Sequence, residues 1–151
     1  MPSTLPPSGS EQTPAVLFFG TLGAFSLPPL LALLAAGVEV RAVVMPAARA
    51  DPMEAPIRYE RPPPPPRATL PLLTRYHQPS IVTMAWERGI PLLLAARERD
   101  PLALRTLAAY DADALCVACW PRRLPAPLLT LPRLGALNLH PSLLPAHRGP
   151  A

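Results

Sequence analysis

The sequence contains no lysine. All fourteen basic residues are arginine, against ten acids, for a net charge of +4. Arginine without lysine, in a chain heavy in alanine, leucine and proline, marks a compositional bias, so the basic balance says little about a nucleic-acid partner. Aromatics are also scarce, at 5% of residues. No basic cluster is interleaved with them, which excludes a nucleic-acid module in its own right. There are two cysteines, Cys116 and Cys119, spaced C-x-x-C within "ALCVACW". Zinc would need two further ligands at suitable spacing, and a redox pair normally opens a helix. Both sit instead in a strand-like apolar run, as small core residues of a reducing cytoplasm, and no metal is expected. An unbroken membrane span is missing too. Ala15 to Val38 carries no charge and is long enough to cross a bilayer. Gly20, Gly23 and Pro28-Pro29 interrupt it, and no basic region precedes it.

Proline is what the chain has in excess: 25 of 151 residues, with only 7 glycines. Much of it falls in Met1–Pro14 and Pro46–Pro71. The first thirteen residues read as a disordered tail, leaving 14–151 as one domain with 46–71 as a proline-rich surface insertion. Within that insertion "RPPPPPR" (61–67) predicts a stiff polyproline II stretch; the sharper alternative is a docking peptide for an SH3-like partner.

The remaining segments alternate in type. "AVLFFG" (15–20) is a continuous apolar run, the mark of a strand buried on both faces. Ser26 as N-cap, Pro28 in the first turn, a Leu30/Leu31/Leu34 stripe and Gly37 as a stop predict a helix. "VEVRAVVM" (38–45) predicts a second strand. A helix over 79–89 ending at Gly89, a strand at 90–95, a helix capped by Asp100, and a strand at 113–119 follow. A connector at 125–134 then leads to a fifth strand, "GALNLH" (135–140), apolar enough to expect it in the sheet interior. The whole predicts an α/β fold, an open and mostly parallel sheet with flanking helices.

Ligands bind such sheets outside the carboxyl ends of the strands. Three features fall there: "GTLG" (20–23), "CWPRRLP" (119–125) and "NLHPSLLPAHRG" (138–149). Period-two geometry places Asn138 and His140 on one face, about 7 Å apart. An amide N–H can donate to a carbonyl oxygen becoming negative, and an imidazole can carry a proton. No serine or cysteine nucleophile pairs obviously with the histidine, so direct transfer of an acyl-like carbon between amines suits the pair. A satisfied structural Asn and His at a strand end is the plain alternative.

The stretch "NLHPSLLPAHRG" resembles the signature of the folate-dependent formyltransferases: Asn-x-His, a Ser-Leu-Leu-Pro loop, then Arg-Gly. Residues 15–45 resemble the same family's opening strand, Gly-Thr loop and Phe-x-x-Pro helix, and "LPRLGALNLH" its approach to the motif. The resemblance covers about 15–45 and 76–151. It implies a Rossmann-like domain that transfers a formyl group from 10-formyltetrahydrofolate to an amine, without a metal. It also implies roles. Asn138 holds the formyl oxygen, and His140 assists proton transfer. Ser142, Leu143, Leu144 and Pro145 shape the adjoining loop, and Arg122 and Leu124 contact the pterin. Pro121 departs from the family, where Gly or Met is common.

The family's third catalytic residue, an Asp on a later strand, has no counterpart before Ala151. The expectation is therefore an incomplete catalytic domain, inactive alone unless His147 or Asp113 replaces the acid. Arg148-Gly149 resembles the methionyl-tRNA and amino-sugar branches more than the purine one, and the Gly-Thr loop with its Phe-x-x-Pro helix resembles the methionyl-tRNA branch. The expected partners are thus the folate donor and initiator methionyl-tRNA, in the cytoplasm at the start of translation, with a monomer at full length and no membrane. An amino sugar nucleotide, glycinamide ribonucleotide, or a non-catalytic remnant that binds a partner are the alternatives.

Overall fold

The computed structural model describes residues 13–47, 54–64, 79–142 and 146. The proposed tail up to residue 12, the end of the proline run, and Leu143, Leu144, Pro145 and His147 lie outside these described residues. Six strands form one sheet in the order β3-β4-β2-β1-β5-β6. They are β1 (Ala15–Phe19), β2 (Glu39–Pro46), β3 (Ile57–Tyr59), β4 (Leu92–Ala95), β5 (Ala114–Ala118) and β6 (Ala136–Leu139). All pairings are parallel except β3 with β4. The mostly parallel α/β sheet read from the sequence is what forms.

Helices α1 (Leu27–Ala35), α2 (Ile81–Glu87), α3 (Pro101–Ala108) and α4 (Ala126–Leu129) flank it. Leu30 from α1 and Ile81 and Ala85 from α2 pack on Val16, Phe18, Val43 and Cys116. Ala103 and Leu107 from α3 and Leu128 from α4 pack on the other face, against Leu17, Phe19, Val44 and Val117. β1 is buried at every position, because alternate side chains meet a different helix layer.

The helix signals mostly act as their chemistry dictates. Asp100 accepts from the Leu102 N–H at 2.8 Å and Pro101 occupies the first turn. Ser80 and Thr83 form a reciprocal capping box on α2. Gly37 and Gly89 take φ +74° and +66° just past their helices, a conformation costly for residues with a Cβ.

Five expectations are corrected. Ser26 starts α1 but makes no side-chain cap: its hydroxyl accepts from Thr21 N (2.9 Å) and donates to Ala118 O (3.0 Å), tying two strand ends together. Leu31 is 39% exposed; the buried stripe of α1 runs through Leu27, Leu30, Leu33 and Leu34 instead. The segment 46–71 is not wholly a surface insertion, because Ile57–Tyr59 adds an antiparallel strand to β4 and buries Ile57. Pro62 to Pro64 of the proline run are exposed, whereas Pro56 just before β3 is buried. The connector at 125–134 contains α4. Most consequentially, among the described residues β6 lies at the edge of the sheet and all four of its residues are exposed, where the sequence predicts an interior strand. Among the described residues no helix of the chain is long and apolar enough to cross a membrane.

Candidate active site

The order of the sheet reverses direction at β1. The chain first builds β2 and β4 on one side, then β5 and β6 on the other. At such a switch point the connections leave in opposite directions and open a crevice at the carboxyl ends of the strands. Local sequence shapes that crevice. Gly20 ends β1 where any side chain would collide, since a Cβ there would lie 2.8 Å from the Phe18 ring. Thr21 is then held to Ser26, and Ser26 to the end of β5.

A cleft of about 730 Å³ opens beside β5, within the range of small-molecule sites. Val117, Cys119, Trp120, Arg122, Arg123, Leu124 and Leu129 line it together with Ala136, Asn138 and His140. In the register, Asn138 stands beside Val117 and Leu139 beside Ala118. Val117 belongs to the α3–α4 face and Ala118 to the other, so Asn138 and His140 share the face with the cleft, as period two requires. Asn138 is exposed and its amide has no hydrogen-bond partner among the described residues. Arg122 and Leu124 line the same cleft. Ser142 follows in a bend, half-buried.

Asp113 is not near His140. It stands at the amino end of β5, four residues before the level of Asn138, about 13 Å along the strand. There it accepts from Ala15 N at 2.8 Å and from Arg133 Nε at 2.6 Å. The Ala15 N–H and then the Arg133 guanidinium, helped by the Arg41 charge, hold its carboxyl below the ordinary aspartate value. It therefore cannot stand in for a catalytic acid at the other end of the sheet.

The cysteines split. Cys116 is buried, and burial pushes its thiol pKa up, which makes it inert. Cys119 is half-buried on the cleft, in a left-handed turn at φ +59°. Among the described residues no group of acids, histidines and cysteines is placed to hold a metal.

Two cleft features escaped the sequence reading. Trp120 lines the cleft, packs edge-on against Phe19 at 5.1 Å, and keeps a buried indole Nε1 without a hydrogen-bond partner. Glu98, 8% exposed, binds Arg122: Arg122 Nε donates to its Oε1 at 3.0 Å. An aromatic straight after an apolar strand could have signalled Trp120; Glu98, within "ARERD", had no local signal.

An open, mostly parallel sheet with a cleft beside the carboxyl ends of β5 and β6, walled by aromatic and aliphatic side chains and tipped by an amide and an imidazole, defines a Rossmann-like domain with a candidate ligand site. The chain can be placed more narrowly. The Formyl transferase family model matches residues 65–151, more than half of the chain, and the chain belongs to the formyl transferase family. It is similar to a methionyl-tRNA formyltransferase of Novosphingobium aromaticivorans, 38% identical over 143 residues, covering 90% of this chain and 38% of that protein. The methionyl-tRNA formyltransferase of Chloroflexus aurantiacus is 34% identical over 135 residues, covering 89% and 37%. That of Frankia casuarinae is 47% identical over 73 residues, covering 48% and 22%. The chain thus spans about two fifths or less of the length of these relatives.

Proposed function

We propose that the protein transfers a formyl group from 10-formyltetrahydrofolate to the amino group of methionyl-tRNA. The observation that carries this reading is the Asn138–His140 pair at the end of β6, both lining the cleft of a formyl transferase domain. The residues present suit such a donor. The volume is of the right order for a small ligand, and Trp120, Leu124 and Leu129 offer apolar walls for a fused ring. The donor supplies a formyl carbon that an amine can attack.

The protein's part is positioning and charge. Asn138 donates its amide N–H to the formyl oxygen, where negative charge develops as the amine adds. His140, two residues on and facing the same way, takes the proton that the amine gives up and returns it to the leaving nitrogen. Arg122 and Leu124 form the donor-side wall, and Ser142 follows the histidine. The names of the relatives support methionyl-tRNA as acceptor.

The test is transfer of labelled formyl from the donor to methionyl-tRNA, an amino sugar nucleotide and glycinamide ribonucleotide in parallel. Label on methionyl-tRNA alone is the expected result. Label on another amine replaces the acceptor, and label on none of them, with a protein that spans the full length of these relatives, refutes the enzyme reading.

A further inference from the structure

Strands β4 and β5 lie three places apart in the sheet, about 14 Å at the usual spacing. Yet one side chain joins their carboxyl ends. From the loop after β5, Arg122 reaches over the ends of β1 and β2 and donates from Nη2 to Ala95 O, the last residue of β4, at 3.0 Å. Its Nε and Nη2 also donate to Glu98 Oε1, in the loop between β4 and α3. The Glu98 side chain is 10% exposed, against 39% for Arg122. The guanidinium carbon lies 5.7 Å from the centroid of the Trp120 ring, which in turn packs on Phe19 at the end of β1. Glu98, Arg122, Trp120 and Phe19 thus form a continuous line across the switch point.

The loop that this line crosses is under strain. Cys119 leaves β5 with φ +59°, a conformation that L-residues with a Cβ adopt only where the surroundings impose it. The next residues, Trp120 to Leu124, are cleft wall. Something must hold them, and the chain places a nearly buried carboxylate there. A carboxylate that buried is costly unless paired and hydrogen-bonded.

We propose that Glu98 is a positioning residue: by fixing Arg122 over Trp120 it holds the strained 119–124 turn, and with it the donor-side wall of the cleft, in its binding shape. Arg122 therefore meets the donor with its charge already neutralised, as part of a wall and not as an ionic contact. The proposal rests on the cleft's being the folate site.

Trp120 is its own reporter once Trp86, the other tryptophan, is replaced by Phe. In that background Glu98→Gln keeps the shape and removes the charge. Glu54→Gln, which breaks the exposed Glu54–Arg58 pair near β3, serves as the control. The expected result is a red shift and greater acrylamide quenching of Trp120 in Glu98→Gln alone, with an unchanged far-ultraviolet circular dichroism spectrum. A roughly tenfold weaker affinity for 5-formyltetrahydrofolate, used as a stable donor analogue, should accompany it. Arg122→Met should reproduce both effects and carries the test if Glu98→Gln does not fold. An unchanged Trp120 spectrum overturns the clamp. A changed spectrum with unchanged affinity overturns its role in the site. A protein with both Glu98 and Arg122 intact that fails to bind the analogue refutes the folate reading instead, and the spectrum alone then decides the clamp.

Discussion

Strands β1 and β6 are written in nearly the same alphabet, "AVLFF" and "ALNL", and have opposite fates. β1 lies between β2 and β5 with a helix layer on each face, and its five residues are buried. β6 pairs only with β5 among the described residues, and Leu137 is 66% exposed. Apolar composition states what a strand can bury against; its place in the sheet decides whether that happens. The division is useful. Among the described residues the central strand carries the core, while Asn138 and then His140, just past the end of β6, line the cleft.

The largest effect expected from this contrast is on rate. His140→Ala should lower formyl transfer about 10²–10⁴-fold if the imidazole moves the proton. A mutant with the original rate would remove His140 from the mechanism. A mutant that unfolds early would make it a structural residue. The converse experiment belongs to β1. Phe18 is fully buried, so Phe18→Ala should cost about 3–5 kcal/mol of stability. Leu137→Ala should stay within about 0.5 kcal/mol. Urea unfolding of the two mutants measures the contrast directly, and similar losses would mean that β6 is covered in solution.

A smaller effect is expected at the join between these regions. Ser26→Ala leaves Thr21 N and Ala118 O without the hydroxyl that links them. Ser26 is fully buried, so the loss should be about 1–3 kcal/mol, the cost of unsatisfied buried groups. Ser26→Thr keeps the hydroxyl but adds a methyl group near Gly20, where space is already short. A mutant equal in stability to the original protein would show that water replaces the hydroxyl.

What could be read in advance follows the same division. Strands β1, β2, β4 and β5, helices α1 to α3 and their stops were legible because each rests on local signals: apolar runs, Asp100, Gly37 and Gly89. The shared face of Asn138 and His140 was legible because period two is a property of the strand itself. β3 was not. Its three residues, with Arg58 and Tyr59 facing out and proline on both sides, become a strand only because β4 offers an edge to pair with. The edge position of β6 was equally hidden, since nothing within a strand records how many neighbours it has. The Glu98–Arg122 bridge joins residues 24 apart across three strand spacings, and charge in "ARERD" looked like ordinary solvated surface. Tertiary pairings decide these features, and local pattern does not encode them.

The smallest expected effect is on pH dependence, and it arises where β1 and β6 are tied at their amino ends. Asp113 takes the Ala15 N–H at the start of β1 and the Arg133 guanidinium just before β6, and its backbone also bonds Ala15 O and Leu134 N. Those donors lower its folded pKa below the unfolded value of about 3.9. The unfolded chain therefore binds the proton first on acidification. The carboxylate's contribution is fully present above that unfolded value and is lost as pH falls through the lowered one. Asp113→Asn keeps an oxygen for Ala15 but gives up the charge, so its stability should vary less with pH below about 4 than that of the original protein. Unfolding midpoints measured between neutral and strongly acidic pH supply the comparison. If the two profiles stay parallel through the acid range, the tie at the amino ends of β1 and β6 contributes nothing through its charge, and the backbone bonds of Asp113 alone hold that corner.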